Sequence, residues 1–169
     1  MTTKGEEKRA KNGKRVKLTI VDGNEQMRRM QEAVAHRAYA IFESRGSGSW
    51  HELQGWGQAA SELVRPLNCS RTTVGDRLWM GTDARIFKQG TIEIWVAPRK
   101  FTICGEPRSD EDVQGIGPRS REARIFRVLD LCLDVDPSRA TAKLHGLSLE
   151  ILVKKAQAKP RQEARAVAA

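Results

Sequence analysis

A change of hydrophobic period near residue 70 constrains the fold more than any other feature. Before it, apolar residues recur at three- and four-residue spacing; after it, they fall at every second place. The first spacing makes one stripe on a helix and the second makes one face of a strand, so the chain reads as a helical piece followed by a sheet. Residues 22–46 predict an amphipathic helix whose stripe is Met27, Met30, Val34, Ala38, Ile41 and Phe42. Asp22 or Asn24 can cap its start, and Gly46 can end it. After the turn "GSGS", Ser49 with Glu52 three places on has the spacing of a capping box. This second helix carries Leu53, Trp56, Ala60, Leu63 and Val64 and stops at Pro66. Gly55 and Gly57 each weaken it by roughly 1 kcal/mol relative to Ala, so packing against another surface must hold it.

Downstream, "RTTV", "DRLWMG", "TIEIWVA", "KFTICGE", "REARIFRVLDLCLDV", "ATAKLHG" and "LSLEILV" alternate apolar and polar residues between Gly, Pro and Asp turns. Residues 107–120 have no strand pattern and read as a loop. The expected fold is mainly β. An immunoglobulin-like antiparallel sandwich spans 67–156, a two-helix hairpin at 21–66 precedes it, and disordered basic tails cover 1–20 and 157–169.

Charge is distributed to match. Residues 1–17 carry a net +5 and residues 154–169 a net +4, which accounts for the whole +9. Residues 18–153 hold 18 basic and 18 acidic side chains, so no folded groove is expected to be strongly basic. The ends read as solvated segments that keep the chain soluble; the other reading is weak contact with nucleic acid or acidic partners. No aromatic residues are interleaved there for base stacking. Mean hydropathy is −0.55, and no apolar run approaches the roughly 18 residues of a membrane span. The first 17 residues lack the apolar segment of a secretory signal, so a cytoplasmic protein is expected, with no membrane partner. Cys69, Cys104 and Cys132 form no C-x-x-C pair and read as small half-buried strand residues.

Catalytic patterns are missing. The three histidines, His36, His51 and His145, fall in no H-E-x-x-H motif, and neither G-x-S-x-G nor a phosphate-loop signature occurs. Asp130, Asp134 and Asp136 alternate with Leu131, Leu133 and Val135, as on the solvated face of a strand, and lack the spacing and glycine of a calcium loop. The expectation is a non-enzyme with no cofactor and no metal.

Three segments, in order, resemble the alpha-crystallin domain of the small heat-shock protein family. They are "TIEIWVAPRKFTICGE", "IFRVLDLCLDVDPSRATAKL" and "HGLSLEILVKK", and the likeness covers roughly residues 70–156. The resemblance implies an ATP-independent holdase that binds unfolding client proteins and assembles as a homodimer or small oligomer. It implies a client or partner groove between the strands at 91–97 and 147–153, with Ile92, Ile94, Val96, Leu147, Leu149 and Ile151 as candidates. It places Arg127 on the family's interface arginine. No Ile-x-Ile motif closes the chain. The segment "HRAYAIFESRGSGSWHELQGWGQAASEL" is similar to a short bacterial domain family of unknown function, and its expected core is Tyr39, Phe42, Trp56 and Leu63. Two rivals remain: an interaction module with one specific partner, and a nucleic-acid-associated protein acting through its tails.

Overall fold

The alternating segments fold as two stacked five-stranded sheets, and the helices form a third layer. The computed structural model describes residues 13–45, 52–108 and 124–157. In chain order the elements are β1 (Lys14–Arg15), β2 (Lys17–Ile20), α1 (Gly23–Arg45), α2 (Glu52–Leu63), β3 (Val64–Pro66), β4 (Ser70–Val74), β5 (Arg77–Asp83), β6 (Glu93–Ala97), β7 (Lys100–Gly105), β8 (Ile125–Asp130), β9 (Val135–His145) and β10 (Ser148–Lys155). The first sheet has the order β1-β9-β10-β5-β4 and the second β2-β6-β7-β8-β3. Pairing is antiparallel except at the two edges of the second sheet, where β2 lies parallel to β6 and β3 parallel to β8.

Between the sheets lie Leu78, Met80, Ile94, Val96, Phe101, Ile103, Ile125, Leu149, Ile151 and Val153, all nearly or fully buried. Gly75 and Gly146 turn the β4–β5 and β9–β10 hairpins with positive φ, which a side chain would strain. The register of β9 against β10 slips between Leu152 and Lys154. At this irregularity the backbone N–H and the hydroxyl of Ser138 both donate to Asp136.

β2 and β3 lie at opposite edges of the second sheet, and the helical hairpin connects them across its outer face. That face is buried as well: Trp95, Thr102, Cys104 and Phe126 lie under the helices. Asp22 caps α1 by accepting from the backbone N–H groups of Asn24 and Glu25. Gln26, wholly buried, donates to the Val21 carbonyl and accepts from the Thr102 hydroxyl at 2.7 Å. Arg29 lies 5.3 Å from the centre of the Trp95 ring. Arg37 and Glu62 form a 2.8 Å ion pair between the helices, and Gln58 donates to the other carboxylate oxygen.

Several expectations need correction. Residues 14–20, expected within a disordered tail, form two paired strands, because their apolar residues alternate and find open sheet edges. The stripe of α1 is Gln26, Met30, Val34, Ala38 and Ile41; Met27 is exposed and Phe42 half-buried. Tyr39, expected in the module's core, is 63% exposed, since it lies about 100° round the helix from Ala38. Trp56 is 43% exposed, because α2 turns Gly55, Ala59, Glu62 and Leu63 inward. Gly55 faces α1, where a Cβ would make only an ordinary contact 3.9 Å from the Ala38 carbonyl oxygen; the inward side is set by the burial of Ala59 and Leu63 and the ion pair of Glu62 with Arg37. Cys132 is exposed in the turn between β8 and β9, whereas Cys104 is buried and Cys69 half-buried. The Ser49–Glu52 capping box, Gly46, most of the expected 107–120 loop and the terminal segments 1–12 and 158–169 lie outside the described residues.

Candidate functional site: a strapped groove between two sheet edges

The sandwich body of β4–β10 has one side where β9 of the first sheet faces β6 of the second. Both strands would end their sheets there, leaving unpaired backbone N–H and C=O groups. Residues 14–20 close both. Lys14 and Arg15 pair with Leu144 and Lys143 of β9, and Lys17–Ile20 pair with Glu93–Val96 of β6. Val16 sits at the crossing, where its N–H donates to the Ala142 carbonyl at 3.1 Å. Val16 and Leu18 pack half-buried against the core between the sheets. The strap is thus an extended segment whose Val16 and Leu18 fill the mouth of the sandwich.

Polar contacts fix its outer side. Thr19 donates its hydroxyl to Glu93 at 2.8 Å, and Lys17 lies 3.5 Å from the same carboxylate. Arg124 approaches the other oxygen at 3.4 Å. Burial works to raise the Glu93 pKa, but the Thr19 hydrogen bond and the charges of Lys17 and Arg124 outweigh it and hold the carboxyl below its ordinary value. At the strap's start, Gly13 lies against the His145 ring, where a Cβ would stand 2.6 Å from a ring carbon. The signal for the strap is "RVKLTIV", in which Val16, Leu18 and Ile20 alternate with Lys17 and Thr19. Its basic neighbours make it look like part of a solvated tail.

The groove expected between 91–97 and 147–153 does not form. β10 lies inside the first sheet between β9 and β5, so it has no open edge. Leu149 and Ile151, with Ile94 and Val96 from the second sheet, are core residues at 1% exposure or less. Ile92 is buried just ahead of β6, and Leu147 stands exposed in the β9–β10 turn, where its carbonyl accepts from Ala84. The strand opposite β6 is β9, and alternation alone could not separate it from its hairpin partner.

Arg127 is half-buried on β8, beside Ile103 and opposite Arg65 of β3. It donates to the Phe126 carbonyl, and among the described residues no carboxylate pairs with it. Burial, aided by the Arg65 charge, pulls its pKa down to about 10. It remains a cation at neutral pH. The edge of β8 that would otherwise be open is covered by β3, whose Pro66 has no N–H to donate onward. The acids expected on a solvated face lie apart, each beside a base: Asp130 near Lys100, Asp134 near Arg99 and Asp136 near Arg139. Among the described residues no three His, Cys, Asp or Glu side chains gather to hold a metal ion. No described helix is long and apolar enough to cross a membrane. The Cys104 thiol is pushed up to about 12 by burial.

No family model and no curated protein matches the sequence. Among solved structures, the chain is similar to heat shock protein 16.0 from Schizosaccharomyces pombe, at 18% identity, covering 60% of this chain and 73% of that one with a TM-score of 0.43. It is similar to hspA from Xanthomonas axonopodis at 19% identity, covering 54% and 93% with a TM-score of 0.41. The rat alpha crystallin domain matches at 23% identity, covering 53% and 91% with a TM-score of 0.35. These likenesses assign no role to any residue of this chain.

Proposed function

We propose that the protein is a cytoplasmic, ATP-independent holdase of the small heat-shock type that captures extended apolar segments of unfolding proteins at the groove between β6 and β9. The observation that supports this reading is the strap itself. Residues 14–20 are an extended segment with alternate apolar side chains, held by backbone pairing to two sheets at once. A site that takes Val16-x-Leu18 in this way offers the same pairing to any unfolding chain with branched aliphatic residues two apart. Capture is by strand addition plus burial of apolar side chains, with no bond made or broken, so no nucleotide is required.

In this reading the strap is the resting occupant and a client competes with it. Only six strap residues are in strands, and Lys14, Arg15, Lys17 and Ile20 are exposed, so little burial opposes its release. The test is light scattering from an aggregating client without ATP, comparing the full chain with the strap-weakened variant Val16→Asp/Leu18→Asp. The variant is expected to suppress aggregation at a lower molar ratio than the wild type. Absence of suppression by both proteins at stoichiometric excess defeats the holdase reading. Stable binding of one specific partner instead would favour an interaction module.

A further inference from the structure

Arg37, buried between the helices, has Glu62 at 2.8 Å to balance its charge. Arg127, half-buried on β8, has no such partner among the described residues, and it lies directly opposite a second arginine, Arg65 of β3. Residues paired in a ladder point to the same face, and their strands run about 4.8 Å apart. That face is the inward one, shared by Ile103, which is level with Arg127 on β7. Two guanidinium groups therefore stand side by side at the mouth of the sandwich between β3 and β4, on the side away from the strap. Arg127 donates to the Phe126 carbonyl, and Arg65 donates to the Ser61 carbonyl in the last turn of α2. Among the described residues, no acceptor takes the remaining N–H donors of either head. The one charge that acts on Arg127 is that of Arg65, and it repels. Arg71 of β4, set opposite Met80 and so also facing inward, adds an exposed cation from the other sheet.

We propose that Arg65 and Arg127 form an anion site that binds a small tetrahedral dianion of the phosphate class, as inorganic phosphate or a low-molecular-weight phosphate monoester. Like charges drawn partly out of water repel each other more strongly than on an open surface, so an ion that neutralises both is favoured there. A carboxylate occupies one guanidinium fork, whereas a tetrahedral dianion presents oxygens to two forks at once and cancels two charges. Arg65 is exposed, which leaves the ion a way in from solvent. A long polyanion is a poorer fit, because residues 18–153 carry equal numbers of basic and acidic side chains and offer it no extended track. The site does not depend on client capture, which lies at the opposite mouth.

Thermal unfolding of the full chain at about pH 7.5, where phosphate is largely dianionic, tests the site when phosphate replaces chloride at constant ionic strength. Phosphate also stabilises proteins by exclusion from their surface, so the wild type is compared with Arg127→Met. The wild type is expected to gain about 4 °C at about 20 mM phosphate, as a site of roughly millimolar Kd would give, and Arg127→Met about 1 °C or less. The arginine Nε–H signals of the wild type, followed by NMR as inorganic phosphate is added, are expected to shift and saturate, a readout that needs no variant to fold. Arg65→Gln, changed at an exposed position, is expected to raise the Kd from that titration at least about tenfold. The same titration with glycerol phosphate separates the sources: saturation by both probes assigns the ester, and saturation by inorganic phosphate alone assigns the free ion. Equal thermal gains in the wild type and Arg127→Met overturn the proposal, as do Nε–H signals that fail to saturate by about 50 mM phosphate.

Discussion

Gln26 and Thr102 show how one polar contact locates a whole layer. Both are fully buried, and Thr102 spends its hydroxyl proton on Gln26 while the Gln26 amide reaches the Val21 carbonyl. Thr102→Val keeps the shape and leaves the Gln26 oxygen without its donor. It is expected to cost about 1–3 kcal/mol in urea unfolding, the penalty of an unsatisfied buried acceptor. The Arg37–Glu62 pair ties the two helices together, with 13% and 9% of the side chains exposed. Arg37→Ala strands the Glu62 carboxylate in a largely dry site and is expected to cost about 3–5 kcal/mol by the same measurement. Sequence pattern gave no hint of either contact. Gln26 and Glu62 are polar residues on faces that an apolar period leaves out, and their partners lie 76 and 25 positions away.

Among the elements, the strap is the one whose stability depends on a titrating group. Glu93 accepts from Thr19 and faces Lys17, and its carboxyl is held below its ordinary 4.5. A depressed carboxylate pKa stabilises the folded form above the unfolded value. That contribution is lost as pH falls through the folded one. The strap is therefore expected to loosen as pH drops below 4.5, seen as faster hydrogen exchange at the Val16 and Val21 amides, which donate to the Ala142 and Val96 carbonyls. Glu93→Gln should show the faster exchange already at neutral pH and lose the acid dependence. The helices teach a related lesson. Asp22 as the cap of α1 was legible, because capping depends on neighbours in the chain. The inward face of α2 was not, because contacts with distant residues set it, such as that of Glu62 with Arg37 of α1.

For the molecule as a whole, the hairpin and the sandwich share one core: β2, the two helices and β3 both extend and cover the second sheet. We therefore expect a fragment of residues 67–156 to be poorly folded. It lacks both edge strands of that sheet and leaves Trp95, Thr102, Cys104 and Phe126 uncovered. Loss of a sharp thermal transition, with dye binding to the exposed apolar face, is the expected outcome; a cooperative transition close to that of the full chain would show the sandwich to be independent.

The sequence by itself determined where helices give way to strands, which residues of a strand share a face and where several turns fall. Those features follow from local spacing, as in Ile94 and Val96, or from single residues such as Gly75 and Gly146. Only the tertiary structure decided which strands are neighbours. Period two is identical in β9 and β10, so alternation could not tell that β9 stands at the edge and β10 inside. The same reason hid the strap: Val16 and Leu18 become buried only because two distant strands present open edges side by side.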